Sequence, residues 1–135
     1  MRKQTAFLLM VVLLLGALSL AACGPKGPTE VHVKLSEFKV EMDKTSIPAG
    51  PVKFIIDNVG ALEHEVVLEP AGVNDEPFEV NGKESEVEEI EPGKPATLEW
   101  TIDKAGQYQL ACHVNKDNAD HYAAGMVITF TVTEP

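Results

Sequence analysis

Gln107-Tyr108-Gln109-Leu110-Ala111-Cys112-His113 and, further on, Met126-Val127-Ile128-Thr129-Phe130-Thr131-Val132-Thr133 each alternate between two kinds of side chain. A strand sends successive side chains to opposite faces, so alternation assigns each residue a side. Tyr108, Leu110 and Cys112 share the apolar face, which predicts that Cys112 points inward and His113 outward. Met126, Ile128, Phe130 and Val132 share another, with Thr129, Thr131 and Thr133 opposite. Upstream, His64, Val66 and Leu68 alternate with Glu63, Glu65 and Glu69. One thiol, one thioether and one imidazole therefore fall on the core side of three separate strands.

The same period of two recurs through the chain, and a 3.6-residue period is hard to find. Val31, Val33 and Leu35 alternate with His32 and Lys34; Phe38, Val40 and Met42 with Lys39 and Glu41; Val52, Phe54 and Ile56 with Lys53, Ile55 and Asp57; Leu98, Trp100 and Ile102 with Glu99 and Thr101, so each run has one apolar and one mostly polar face. Ile47-Pro48-Ala49-Gly50-Pro51 reads as a turn. Short alternating runs between turns predict an all-β, antiparallel β-sandwich with one core. Residues 70–91 break the pattern as an acidic excursion that could hold a hairpin, a helical turn or neither. Its run Glu84 to Glu91 reads as a solvated edge. Tyr108 and Trp100 read as core residues, and His32 and His113 as surface histidines.

Thiolate, two imidazoles and a weak axial thioether are the donors of a mononuclear blue-copper site. Cys112, His121 and Met126 lie in one segment near the end of the chain, and His64 is the supplier of the second imidazole. At this point the sequence resembles the cupredoxins, the plastocyanin- and azurin-like blue copper proteins. The resemblance rests on Asn58-x-Gly60-x-x-x-His64 followed by Cys112…His121-x4-Met126, and it covers roughly residues 30 to 133. It implies a Greek-key β-sandwich, one copper ion held by His64, Cys112, His121 and Met126, and single-electron transfer without catalysis. It also implies that the edge of His121, ringed by Tyr122, Ala123 and Ala124, is the surface port for electrons. Eight residues separate Cys112 from His121, more than the two to four usual in similar proteins. Doubling a flexible loop costs only about 0.6 kcal/mol in closure entropy.

The ends indicate export. Met1-Arg2-Lys3, an apolar run from Ala6 to Leu20, and Leu20-Ala21-Ala22-Cys23 read as a secretory signal. The last four residues resemble a bacterial lipobox, whose cysteine is acylated and becomes the new N-terminus. The expected organisation is a signal peptide over 1–22, a short tether over 23–29, and a copper-binding domain over 30–135. Lipid on Cys23 would hold that domain at the outer face of a cell membrane or in a periplasm. Export places Cys112 in an oxidising compartment without a partner thiol, where a bound metal would protect it.

Without Arg2 and Lys3 the chain carries nine lysines against 21 acidic residues, a formal charge near −12. Nucleic acid is an unsuitable partner, because phosphate binding needs clustered cations. A basic redox partner, such as a cytochrome or a membrane redox complex, is favoured by opposite fields, and the protein itself is expected to be a monomer. A binuclear copper site needs a second cysteine beside Cys112, and a multicopper oxidase would carry histidine at Ala111. The alternative kept open is an exported copper carrier or chaperone. A metal-free interaction module is the third reading.

Overall fold

Thirteen strands make up the regular structure of the computed structural model, which describes Gly27–Pro135 except Asp117. The expected signal peptide over 1–22 and the lipid site Cys23 lie outside the described residues. In chain order the strands are β1 (Thr29–Ser36), β2 (Lys39–Met42), β3 (Ser46–Pro48), β4 (Gly50–Asn58), β5 (His64–Pro70), β6 (Glu79–Val80) and β7 (Lys83–Glu84). They continue with β8 (Glu86–Ile90), β9 (Pro95–Ile102), β10 (Gly106–Ala111), β11 (Asn115–Lys116), β12 (Ala119–Asp120) and β13 (Val127–Thr133).

Two sheets face each other. One has the order β2-β1-β4-β9 and the other β3-β13-β10-β5-β8. The alternating β-branched and aliphatic residues suit a pleated, half-buried surface, and their inward sets meet between the sheets. Val31, Val33, Leu35, Phe54 and Ile56 pack from the first sheet against Val66, Leu68, Leu110, Phe130 and Val132 of the second. Phe54 and Phe130 meet across the core edge to face, with ring centroids 6.0 Å apart. Such pairs contribute about 0.5–1.5 kcal/mol beyond their buried area.

The sandwich is confirmed as all-β, but it is not purely antiparallel. β1 pairs in parallel with β4, and β13 with β3. Residues 47–51 are accordingly not a hairpin turn. They are the corner where the chain leaves one sheet for the other, with Ala49 N–H donating to Thr133 O at 2.8 Å. Gly50 takes φ +133° at that corner, a conformation side chains rarely allow. Phe38 departs from its expected strand face as well. It sits in the turn between β1 and β2 with φ +59° and is 37% exposed.

The acidic excursion folds as a small hairpin and an edge strand. Asn81 and Gly82 both have positive φ (54° and 77°), the requirement of a two-residue turn matching the strand twist. The segment then lies over the outer face of β5 and β10. Gly72 N–H donates to Gln109 Oε1 at 2.9 Å, Glu76 N–H to Glu69 Oε2 at 2.7 Å, and Ser85 Oγ–H to Leu68 O at 2.6 Å. This cover buries Glu69, Gln109 and Ala111, which alternation placed on an outward face. His113, expected at the surface, is also largely buried. Its Nε2 lies 3.0 Å from Glu69 Oε1, and its ring stacks on Tyr122 with centroids 4.6 Å apart. A second covering layer has made an outer sheet face into an inner one.

Candidate metal centre

His64, Cys112, His121 and Met126 all come to one end of the sandwich, and each arrives by a different local device. His64 opens β5, just after a loop fastened by Asn58. The buried Asn58 amide donates to Leu62 O and Ile90 O, both at 2.8 Å, and its oxygen accepts from Gly60 N–H at 3.0 Å. A register shift between His64 and Val66 in the pairing of β5 with β8 re-aims the strand start. Cys112 follows the last residue of β10, and its N–H donates to Met126 O at 3.0 Å. Met126 precedes β13, and its N–H donates to His121 O at 3.0 Å. One residue's peptide groups thus tie the other two ends of the loop together.

The long Cys112–His121 connection is structured. β11 and β12 pair within it, and His121 N–H donates to Val114 O at 3.0 Å. Lys116 forms an ion pair with Glu63, joining this hairpin to the approach to His64. The extra residues form a hairpin rather than a flexible loop, which is how an eight-residue gap still delivers a positioned imidazole.

His64 Nδ1 and His121 Nδ1 face each other at 3.2 Å, with Cys112 Sγ 4.0 Å from the first and 3.5 Å from the second. The centre of this triangle is about 2.1 Å from each corner, within metal-bonding range for imidazole nitrogen and close to it for thiolate sulfur. The three donors form the one His/Cys/carboxylate cluster with metal-site geometry among the described residues. His64, Cys112 and Met126 have no solvent exposure, and His121 is 2% exposed. Burial lowers the pKa of His64, reinforced by His121 beside it, so the ring is held neutral as a metal ligand must be. Burial raises the pKa of the bare Cys112 thiol, so a metal ion must displace a proton to bind there. Glu65 N–H points at Cys112 Sγ from 3.5 Å. The buried set of two imidazoles, one thiol and one thioether is that of a type 1 copper site, and the cofactor that fits it is a single copper ion.

Several residues around the site carry no sequence signal. Phe38 stands edge-on over His121, with centroids 5.3 Å apart, and covers the ring expected to form an exposed port. Glu37 Oε1 accepts N–H groups of Ala61 (2.6 Å) and Leu62 (3.0 Å). These contacts span more than twenty residues of sequence, beyond any local pattern. Asn58 was visible only through its place in the Asn-x-Gly motif.

The Cupredoxin-like domain family model matches residues 6–128. No curated protein matches the sequence. Among solved structures, dithionite-reduced auracyanin from the photosynthetic bacterium Roseiflexus castenholzii superposes with a TM-score of 0.62 at 19% identity, covering 80% of this chain and 99% of that one. Auracyanin A of Chloroflexus aurantiacus, described as a "blue" copper protein, gives 0.56 at 20% identity, covering 79% and 100%. A blue copper oxidase from Nitrosomonas europaea gives 0.54 at 16% identity, covering 81% of this chain but only 39% of the oxidase. At these identities the likeness is one of fold. With the family model spanning nearly the whole chain and the sandwich carrying its buried sulfur–imidazole cluster at one end, this protein belongs to the cupredoxin-like family.

Proposed function

We propose that this protein is a single-copper electron carrier, exported and held at a membrane surface by lipid on Cys23. The observation that carries the reading is the sealed triangle of His64 Nδ1, His121 Nδ1 and Cys112 Sγ. Cys112, His64 and His121 would hold the copper, with the buried Met126 thioether as a further, weaker donor. Copper bound there supplies a one-electron couple between Cu(I) and Cu(II).

The chain's own part is positioning and exclusion. The Asn58 bonds and the paired β11–β12 hairpin hold the imidazoles in place without the metal, so little need rearrange when the charge changes. Full burial of the thiol and thioether leaves no approach for a substrate of any size, which favours electron transfer over an enzymatic reaction. The blue copper oxidase superposes on this chain through 39% of its length, so the likeness reaches the domain and not the oxidase's activity.

The acidic surface supports a basic redox protein as partner, through complementary fields. Orientation supports the tether. β1 starts at Thr29 and ends at Ser36, beside Gly60 and the metal end. Its eight residues separate the two by about 23 Å at 3.3 Å per residue. A lipid on Cys23 would thus hold the pole remote from copper, leaving the copper pole for partners.

Addition of Cu(II) to purified protein tests the core of this reading. An intense visible sulfur-to-copper band and reversible one-electron reduction are expected. Binding without that band would favour a copper carrier, and no binding would leave only a metal-free module.

A further inference from the structure

His64 Nε2 is buried and has no hydrogen-bond partner, the one such side-chain atom among the described residues. If Nδ1 of this ring faces the metal, Nε2 carries the proton, and a buried N–H without an acceptor is costly. The nearest anionic group is Glu37 Oε1, 3.8 Å away. Its carboxylate is already held by the backbone N–H groups of Ala61 and Leu62. Gly60 leaves the room it needs, since a Cβ there would meet Glu37 Oε1 at 2.5 Å. A closer approach of about 0.8 Å by this half-exposed carboxylate makes a hydrogen bond of ordinary length.

We propose that Glu37 is the outer partner of His64, accepting its Nε2 proton and so fixing the tautomer and orientation of the ring that presents Nδ1 to the copper. Metal-bound histidines ordinarily donate their second N–H to such a group, which orients the ring and raises its basicity. This reading rests on the copper site proposed above and adds a positioning residue to it. Because the group is an anion, it favours the more positive oxidised copper over the reduced form. Glu37 therefore biases the site toward Cu(II), and its charge as well as its hydrogen bond matters.

Glu37→Gln separates these roles from simple loop support. The glutamine amide oxygen still accepts from Ala61 and Leu62, so the metal-free protein should keep its unfolding midpoint. Loss of the charge should weaken Cu(II) binding about 10- to 100-fold, weaken Cu(I) binding less, and raise the reduction potential. Glu37→Asp should recover part of the difference, and Glu99→Gln, which removes an exposed charge on β9, should change neither affinity. Equal losses for Cu(I) and Cu(II), or unchanged affinities and potential in Glu37→Gln, would overturn the assignment. Wild-type protein that took up no copper would overturn the underlying site instead, so the two failures are distinguishable.

Discussion

Phe38 covers His121: their rings meet edge to face at 77°, with centroids 5.3 Å apart. Phe38 reaches that position from the two-residue turn between β1 and β2, where it takes φ +59°, a conformation that is strained for a bulky side chain. It also leaves His121 2% exposed, where family resemblance implied an open histidine edge. Phe38, with exposed Val59, Ala61, Ala123 and Ala124, leaves small and apolar side chains at the surface of this end. Phe38→Ala should retain the copper band but accelerate electron exchange with small inorganic reagents, about tenfold for each 1.4 kcal/mol by which the ring raises the barrier. Stopped-flow reduction at fixed driving force measures this, and an unchanged or slower rate would mean that the phenyl ring conducts rather than shields.

Cys112→Ser should abolish the sulfur-to-copper band and leave the fold intact. The serine hydroxyl replaces a fully buried thiol, at a cost of about 1–3 kcal/mol if it finds no partner. Thermal unfolding followed by circular dichroism should remain cooperative in this variant and in metal-free wild type. Copper should raise the wild-type midpoint, because it binds the folded state. A random-coil spectrum for the metal-free protein would contradict a core that forms without metal.

His113→Ala should stay blue but lose stability. His113 faces away from the thiol and is joined to the buried Glu69, which also accepts from Gln109 Nε2 at 2.8 Å. Removing one partner from this buried network is expected to cost about 1–3 kcal/mol, and Glu69→Ala at least as much. His121→Gly should lose the band. The opposite outcome for the two histidines would exchange their assignments.

Glu86 is expected to make the stability of the fold depend on pH. Burial, followed by the hydrogen bond and charge of Glu84, raises its pKa to about 7 from the ordinary 4.5. The folded state then binds more protons than the unfolded state between those two values. Stability from this group is complete below about pH 4.5 and is lost as pH rises through about 7. Glu86→Gln should therefore raise the melting temperature at pH 8 and have little effect at pH 4.5. Equal effects at both pH values would show that the carboxyl is not shifted.

Cys23→Ser should move the protein from a membrane fraction to the soluble exported fraction when expressed in a bacterium. Identical fractionation of the two forms would remove the proposed lipid.

Period-two alternation was enough to specify an all-β sandwich, and parity alone put Cys112, Met126 and His64 on the core side. This worked because a strand's side-chain period is a local property, legible wherever one face is buried and the other wet. It failed where a further layer covered the outer face. Glu69, Gln109 and His113 were read as outward-facing, and only the tertiary fold, with residues 70–85 laid across β5 and β10 and Tyr122 stacked on His113, made them buried partners. The parallel pairings of β1 with β4 and β3 with β13 were likewise invisible, since strand direction depends on how connections cross between sheets. Phe38 and Glu37 show the same limit at the metal end. Their contacts with His121 and His64 lie 83 and 27 positions along the chain, a separation that only the packed tertiary structure closes.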